Sequence, residues 1–196
     1  MSTQALARLP ATGAPDLLFV LFHGVGASAA HMAPLAQALA AEYPQAAVLC
    51  IDAPDPFDGV PGGGAGHQWF SVRGVTEANR PGRVAETMPR FVAQVRDLQS
   101  RFEMDWPRTA LVGFSQGAIM ALEAVQAEPH LAGRELAISG RHATAPMHAP
   151  ADTTVHILHG LDDRVMPHAS AVDSPERLLA RGGDVTADVL PGFGHA

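Results

Sequence analysis

Thr109-Ala110-Leu111-Val112-Gly113-Phe114-Ser115-Gln116-Gly117-Ala118 is the stretch on which the reading of this chain turns. Its first residues read as a buried strand and residues 118–127 read as a helix. Gly113-Phe114-Ser115-Gln116-Gly117 therefore occupies a sharp strand-to-helix turn. A turn of this kind forces its serine into strained dihedrals and pushes the hydroxyl out of the fold. The two flanking glycines carry no Cβ to collide with neighbouring backbone. The Gln116 N–H, at the start of the helix, then points to where an oxyanion would form. Ser115 is the candidate nucleophile.

Outward from this turn, short apolar runs alternate with helical patterns, as in a mostly parallel sheet covered on both faces. Strands are predicted at 17–22, 47–51, 109–114, 135–139, 154–159 and 185–190, with an edge strand at 6–9. Most of the runs are continuously apolar, as suits strands buried on both sides. Val84, Met88, Phe91, Val92, Val95, Leu98 and Phe102 recur at steps of three and four and mark one face of a helix. Met32, Leu35, Ala36 and Leu39 do the same ahead of Tyr43-Pro44. Further helices are predicted at 118–127, stopped near Glu128-Pro129, and at 169–180, ended by Gly182-Gly183. There is no internal repeat and no composition break, so residues 1–196 read as a single domain. Loops 52–66 and 140–152 follow strand carboxyl ends, where ligands bind in this architecture, and are candidate pocket walls.

Composition narrows the chemistry. The formal net charge is −7, which argues against nucleic acid or an anionic membrane surface as a partner. All 13 basic residues are Arg. The absence of Lys removes Schiff-base chemistry, a Ser–Lys pair and the lysine of a phosphate-binding loop. Gly62-Gly63-Gly64-Ala65-Gly66 follows a proline-rich loop rather than a strand, so it is not read as a nucleotide site. Cys50 lies in an apolar run and reads as a small buried hydrophobe. No Cys/His cluster has metal-ligand spacing, and neither a metal nor a cofactor is expected. Residues 1–10 lack a signal-peptide pattern, and the run 17–22 is too short to span a bilayer, so a cytoplasmic location is expected.

A serine nucleophile needs a base, and the base needs an orienting acid, in the order Ser, Asp or Glu, His for the α/β-hydrolase arrangement. Of the ten histidines, only His156, His159, His168 and His195 lie well beyond the turn. His156 and His159 fall in a predicted strand, and His168 starts a helix just after Pro167. His195 follows a strand and the Pro191-Gly192-Phe193-Gly194 turn, which makes it the candidate base. Asp162 and Asp163, just after the preceding strand, are both available as the acid. The second oxyanion donor fits the Leu21-Phe22-His23-Gly24-Val25-Gly26 loop, with the Val25 N–H as donor and His23 holding the loop through its ring nitrogens.

These residues resemble the serine carboxylesterase/acyl-protein thioesterase (phospholipase/carboxylesterase) family of α/β-hydrolases over nearly the whole chain, from Leu18 to Ala196. The resemblance rests on the 21–26 loop, Gln68-Trp69-Phe70, residues 113–118, His159-Gly160 with Asp163 and Pro167, and Gly194-His195. It is strongest to the small bacterial esterases, with the segment Gln68 through Arg80 matched as well. It implies an α/β-hydrolase fold and cofactor-free cleavage of short- to medium-chain carboxylic esters of small molecules through an acyl-enzyme. Alternatives are an acyl-protein thioesterase or lysophospholipase, or a non-catalytic acyl-ligand-binding protein of the same fold. By position it implies Ser115 as nucleophile, Asp163 rather than Asp162 as acid, His195 as base, and Val25 and Gln116 as oxyanion donors. Trp69 lies in a motif that lines the acyl pocket of relatives, and Phe70 and Gly24 are assigned to substrate binding with it. Relatives are often monomers or homodimers. They usually continue past this histidine into a final helix, whereas the numbered residues stop at Ala196.

Overall fold

In a computed structural model, which describes residues 5–166 and 169–195, seven strands form one sheet in the order β1-β3-β2-β6-β7-β8-β9. They are β1 (Ala5–Arg8), β2 (Leu17–Phe22), β3 (Ala46–Ile51), β6 (Thr109–Phe114), β7 (Arg134–Ile138), β8 (Thr154–Gly160) and β9 (Val185–Leu190). The six core strands are parallel, and only β1 runs antiparallel, along the β3 edge. The predicted strands are thus present, with ends displaced by a residue at most, and helices lie on both faces as expected of an α/β-hydrolase fold. The sequence reading missed a hairpin of two-residue strands, β4 (Asp55–Pro56) and β5 (His67–Gln68), inside the first glycine- and proline-rich loop. Two-residue strands carry no periodicity to detect. Pro167 and His168 lie outside the described residues.

Strand alternation sorts the core into two layers. Leu18, Val20, Phe22, Leu49, Ile51 and Leu111 face α2 (Arg80–Arg101) and the near side of α3 (Gln116–Ala127). Ala137, Val155, Ile157 and Val185 continue that face beneath α3 and α4 (Ala169–Leu179), where Leu122 and Leu178 close the layer. The opposite face carries Leu21, Val48, Cys50 and Val112 under α1 (Ala33–Glu42). Cys50 is buried and free, as its apolar run suggests. Because the core strands are parallel, the loops after β2, β6, β8 and β9 emerge at one edge of the sheet. Those four loops, with the first residue of α3, carry Gly24, Val25, Ser115, Gln116, Asp163 and His195.

One core residue breaks the apolar pattern. Glu135, in the middle of β7 with Leu111 and Val155 as register neighbours, is fully buried. Neither carboxyl oxygen has a partner among the described residues. Burial pushes its pKa well above the ordinary glutamate value of 4.5. The folded chain therefore keeps a proton that the unfolded chain releases. Stability from this site is fully present below about 4.5 and is lost as pH rises toward the folded-state pKa. Glu135→Leu is expected to raise stability at pH 8 and to flatten the decline between pH 5 and 8, measured by urea unfolding at each pH. An unchanged slope would show that Glu135 is not the source.

Candidate active site

β6 ends at Phe114 and α3 begins at Gln116, leaving Ser115 alone to turn the chain. Its backbone sits at φ 53, ψ −114, a left-handed conformation that a side chain rarely adopts. The strain is held from both sides. The Ser115 N–H donates to the Ile138 carbonyl at 2.9 Å, and the Ser115 carbonyl accepts the first turn's Ile119 N–H at 3.1 Å. Both flanking glycines are forced by backbone contact. A Cβ on Gly113 would overlap the Ala118 backbone, and one on Gly117 would overlap the Phe22 and His23 carbonyls.

The structure brings Ser115, His195 and Asp163 into one hydrogen-bonded line. The His195 Nε2 is 3.0 Å from the Ser115 Oγ, and its Nδ1 is 2.7 Å from the Asp163 Oδ2. Asp163 is buried, and its other oxygen accepts the Val165 and Met166 N–H groups, each at 2.8 Å. Burial opposes ionisation here, but the Met166 N–H, His195 and the Val165 N–H outweigh it and hold the carboxyl below its ordinary value. A carboxylate bonded to Nδ1–H fixes the tautomer that leaves Nε2 free to take the serine proton.

Asp162, which spacing alone left beside Asp163 as a candidate and the family resemblance set aside, does a different job. Its carboxylate accepts the Gly192 N–H at 3.1 Å, and its own N–H donates to the Phe193 carbonyl at 3.0 Å. Gly160 adds a close approach, since a Cβ there would overlap the Phe193 and Gly194 carbonyls. The turn that presents His195 is therefore tied to the end of β8, and its ring leans on Phe114 with centroids 5.3 Å apart. His159, set aside because it lies in a strand, is a buried brace. Its Nε2 meets the Met166 carbonyl at 2.7 Å and lies 3.5 Å from the Asp163 Oδ2. The His159-Gly160 pair in the sequence carried that signal.

The loop after β2 approaches the same point. A Cβ on Gly24 would lie 3.2 Å from the Ser115 Cβ, so Val25 begins within a residue of Ser115. Among the described residues no group accepts the Val25 N–H. The Gln116 N–H opens α3 and has no carbonyl one turn back. His23 holds this loop with both ring nitrogens, at 2.7 Å from the Gly24 carbonyl and 3.0 Å from the Ala53 N–H. Burial keeps its pKa low, so the neutral ring donates on one side and accepts on the other. Gly26 and His67 exchange backbone bonds with the neighbouring segment, tying the loop to the hairpin.

Trp69 and Phe70, expected at the acyl pocket, lie in the core at 2 % and 3 % exposure. The Trp69 indole packs on Phe22, His23 and Phe91 and donates its Nε1–H to the His23 carbonyl at 2.8 Å. What these residues give the site is support for the loop above them. The side chain of Gln116 completes that support and was missed in the sequence, where only its amide had a role. Its Oε1 accepts the Trp69 N–H at 2.8 Å, and its Nε2 donates to the Phe70 carbonyl at 2.7 Å. A cavity of about 600 Å³ runs between α2 and α3, lined by Val84, Met88, Val92 and Glu123, and none of the three clustered residues lines it. No group of His, Cys, Asp and Glu among the described residues could hold a metal ion.

Residues 10–196 match the phospholipase/carboxylesterase family. Esterase YpfH from Escherichia coli (strain K12) is 45% identical over 179 residues, covering 91% of this chain and 75% of that protein. Among solved structures, esterase PE8 superposes with a TM-score of 0.88 at 26% identity, covering 100% of this chain and 92% of the other. Zea mays acyl-protein thioesterase 2 gives 0.77 at 20% identity over 100% and 92%, a likeness of fold.

Gln116→Ala retains the backbone amide but leaves the Trp69 N–H and the Phe70 carbonyl unpaired in a buried setting. Each orphaned group costs about 1–3 kcal/mol, so the unfolding free energy is expected to fall by roughly 3 kcal/mol. Urea denaturation reads this directly, and an unmoved midpoint would show that the clamp holds nothing.

Proposed function

This chain belongs to the phospholipase/carboxylesterase family and is a carboxylic ester hydrolase, and we propose that it cleaves short- to medium-chain esters of small molecules with Ser115, His195 and Asp163 as its catalytic residues. The observation that carries the assignment is the unbroken run of bonds from Ser115 Oγ through His195 to Asp163. His195 Nε2 takes the Ser115 proton as Oγ attacks the acyl carbon. The Val25 and Gln116 N–H groups receive the oxyanion, and Asp163 stabilises the imidazolium. His195 then returns the proton to the departing alcohol. In the second half it takes a proton from water, which attacks the acyl-enzyme and releases the acid. The same donors serve a thioester carbonyl, so thioesters belong in the substrate panel.

We read residues 1–196 as one domain acting without a cofactor, in the cytoplasm, as a monomer or homodimer. Among the described residues no helix is long and apolar enough to cross a membrane.

The test is hydrolysis of p-nitrophenyl esters from acetate to laurate, with Ser115→Ala alongside. Turnover should peak at short chains and vanish with the serine; a wild-type rate in Ser115→Ala would sink the assignment. Two neighbouring variants separate the paired aspartates. Asp163→Asn is expected to lower kcat about 10⁴-fold by leaving the imidazole in the wrong tautomer. Asp162→Asn only loosens the His195 turn and should cost on the order of tenfold. Equal losses would mean the two carboxylates are not divided as described.

A further inference from the structure

Phe114 is the last residue of β6 and the chain neighbour of Ser115, and the proton transfers described above give its side chain no part. Its direction follows from strand alternation. Gly113 turns toward α3, where a Cβ would overlap the Ala118 backbone, so Phe114 turns to the opposite face of the sheet. There it packs beside Leu21 and Val112 and stays partly open.

Two parts of the site meet this ring. The imidazole of His195 lies against it, with centroids 5.3 Å apart and planes inclined by 43°. Gly24 meets it as well, since a Cβ there would lie 3.1 Å from the Phe114 Cδ1 and 3.3 Å from its Cε1. Carbon atoms pack best at about 3.5–4.0 Å, so the ring already fills the space that a side chain at position 24 would take. The loop that carries the Val25 N–H and the imidazole of His195 therefore share one support, and that support is bonded directly to Ser115.

The hydrogen bonds of His195 leave this support something to do. Nδ1 is 2.7 Å from Asp163 and Nε2 is 3.0 Å from Ser115. Two bonds on two ring nitrogens define an axis and leave the imidazole able to roll about it. The Nε2 lone pair does not point along that axis, so a roll swings it off the Ser115 Oγ. A contact on the body of the ring stops the roll. Among the described residues, Phe114 is the aromatic side chain that lies against His195.

We propose that Phe114 is a positioning residue for ester hydrolysis, its ring seating the imidazole of His195 and the Gly24 loop on one surface. The proposal rests on the reading of Ser115, His195 and Asp163 as the catalytic residues. Phe114 acts on the geometry of the proton transfer, so its loss slows the chemical step and leaves substrate binding as it was.

The experiment measures kcat and KM for p-nitrophenyl butyrate in Phe114→Leu, Phe114→Tyr and Leu136→Ala. Leu136 lies mid-strand in β7, packs on the same layer and is likewise partly open, so it reports what lost apolar packing does by itself. Phe114→Leu should lower kcat by about ten- to a hundredfold, with KM within about twofold of wild type. Phe114→Tyr keeps the ring and should restore most of kcat, whereas Leu136→Ala should lower Tm and keep kcat. Labelling of Ser115 by a fluorophosphonate should slow in Phe114→Leu by the same factor as kcat. Nuclear Overhauser contacts from the Phe114 ring protons to the His195 imidazole protons and the Gly24 Hα test the arrangement in the wild-type protein, whether or not a variant folds. An unchanged kcat in Phe114→Leu, a loss equalled by Phe114→Tyr or Leu136→Ala, or missing Overhauser contacts each overturns the proposal. A protein that hydrolyses no ester, yet shows those contacts and loses its single set of His195 imidazole signals in Phe114→Leu, keeps the role of Phe114 in seating His195 and overturns the hydrolase reading instead.

Discussion

The site depends on how closely α3 approaches the end of β2. Gly117 sits so near the Phe22 and His23 carbonyls that no Cβ fits between them. That contact sets the first turn of α3 against the loop that carries Gly24 and Val25. It also explains why Ser115 carries the strain. A chain leaving a parallel strand and entering a helix this close to its neighbour has one residue in which to reverse, and that residue takes the positive φ. The cost, of order 1–3 kcal/mol for such a conformation, is met by bonds on both sides of the turn.

A second consequence is the double use of Gln116. Its backbone faces the site, while its side chain reaches back to clamp residues 69 and 70. Trp69 in turn binds the carbonyl of His23, and His23 binds the loop on either side of itself. The amide at the helix start and the loop carrying the second amide are therefore linked through one chain of buried hydrogen bonds. A site held this way is set before substrate arrives, which is what electrostatic stabilisation of an oxyanion requires.

Much of this was legible in the sequence, for physical reasons. Buried parallel strands are continuous apolar runs, so β2, β3, β6 and β8 announced themselves, and Ser115 stood between two glycines that nothing else could replace. His195 could be sorted from nine other histidines by chain order together with its place after a strand and a turn. The rest was not legible because it depends on direction. Residue type and spacing do not divide Asp162 from Asp163, which the family resemblance alone separated, and it is the turn after β8 that sends one to Gly192 and the other to His195. An aromatic pair such as Trp69-Phe70 reads the same whether its rings face a pocket or a core. A side chain that folds back onto a segment 47 residues away, as Gln116 does, leaves no local pattern at all.

Asp163 and Glu135 show why burial by itself decides little about a carboxyl group. Both are buried within the same sheet framework, and burial raises the pKa of each. Asp163 sits at a strand end, where the backbone has turned and its free N–H groups point inward; Val165, Met166 and His195 together reverse the effect. Glu135 sits mid-strand, where every backbone N–H is committed to the ladder, and nothing is left to offset its desolvation. The carboxyl edge of a parallel sheet is thus the place where this fold can stabilise an ionised acid out of water, and the strand interior is where it holds one neutral. The proposed base, which would become an imidazolium, needs the former, and Asp163 lies three residues beyond the end of β8 rather than within it.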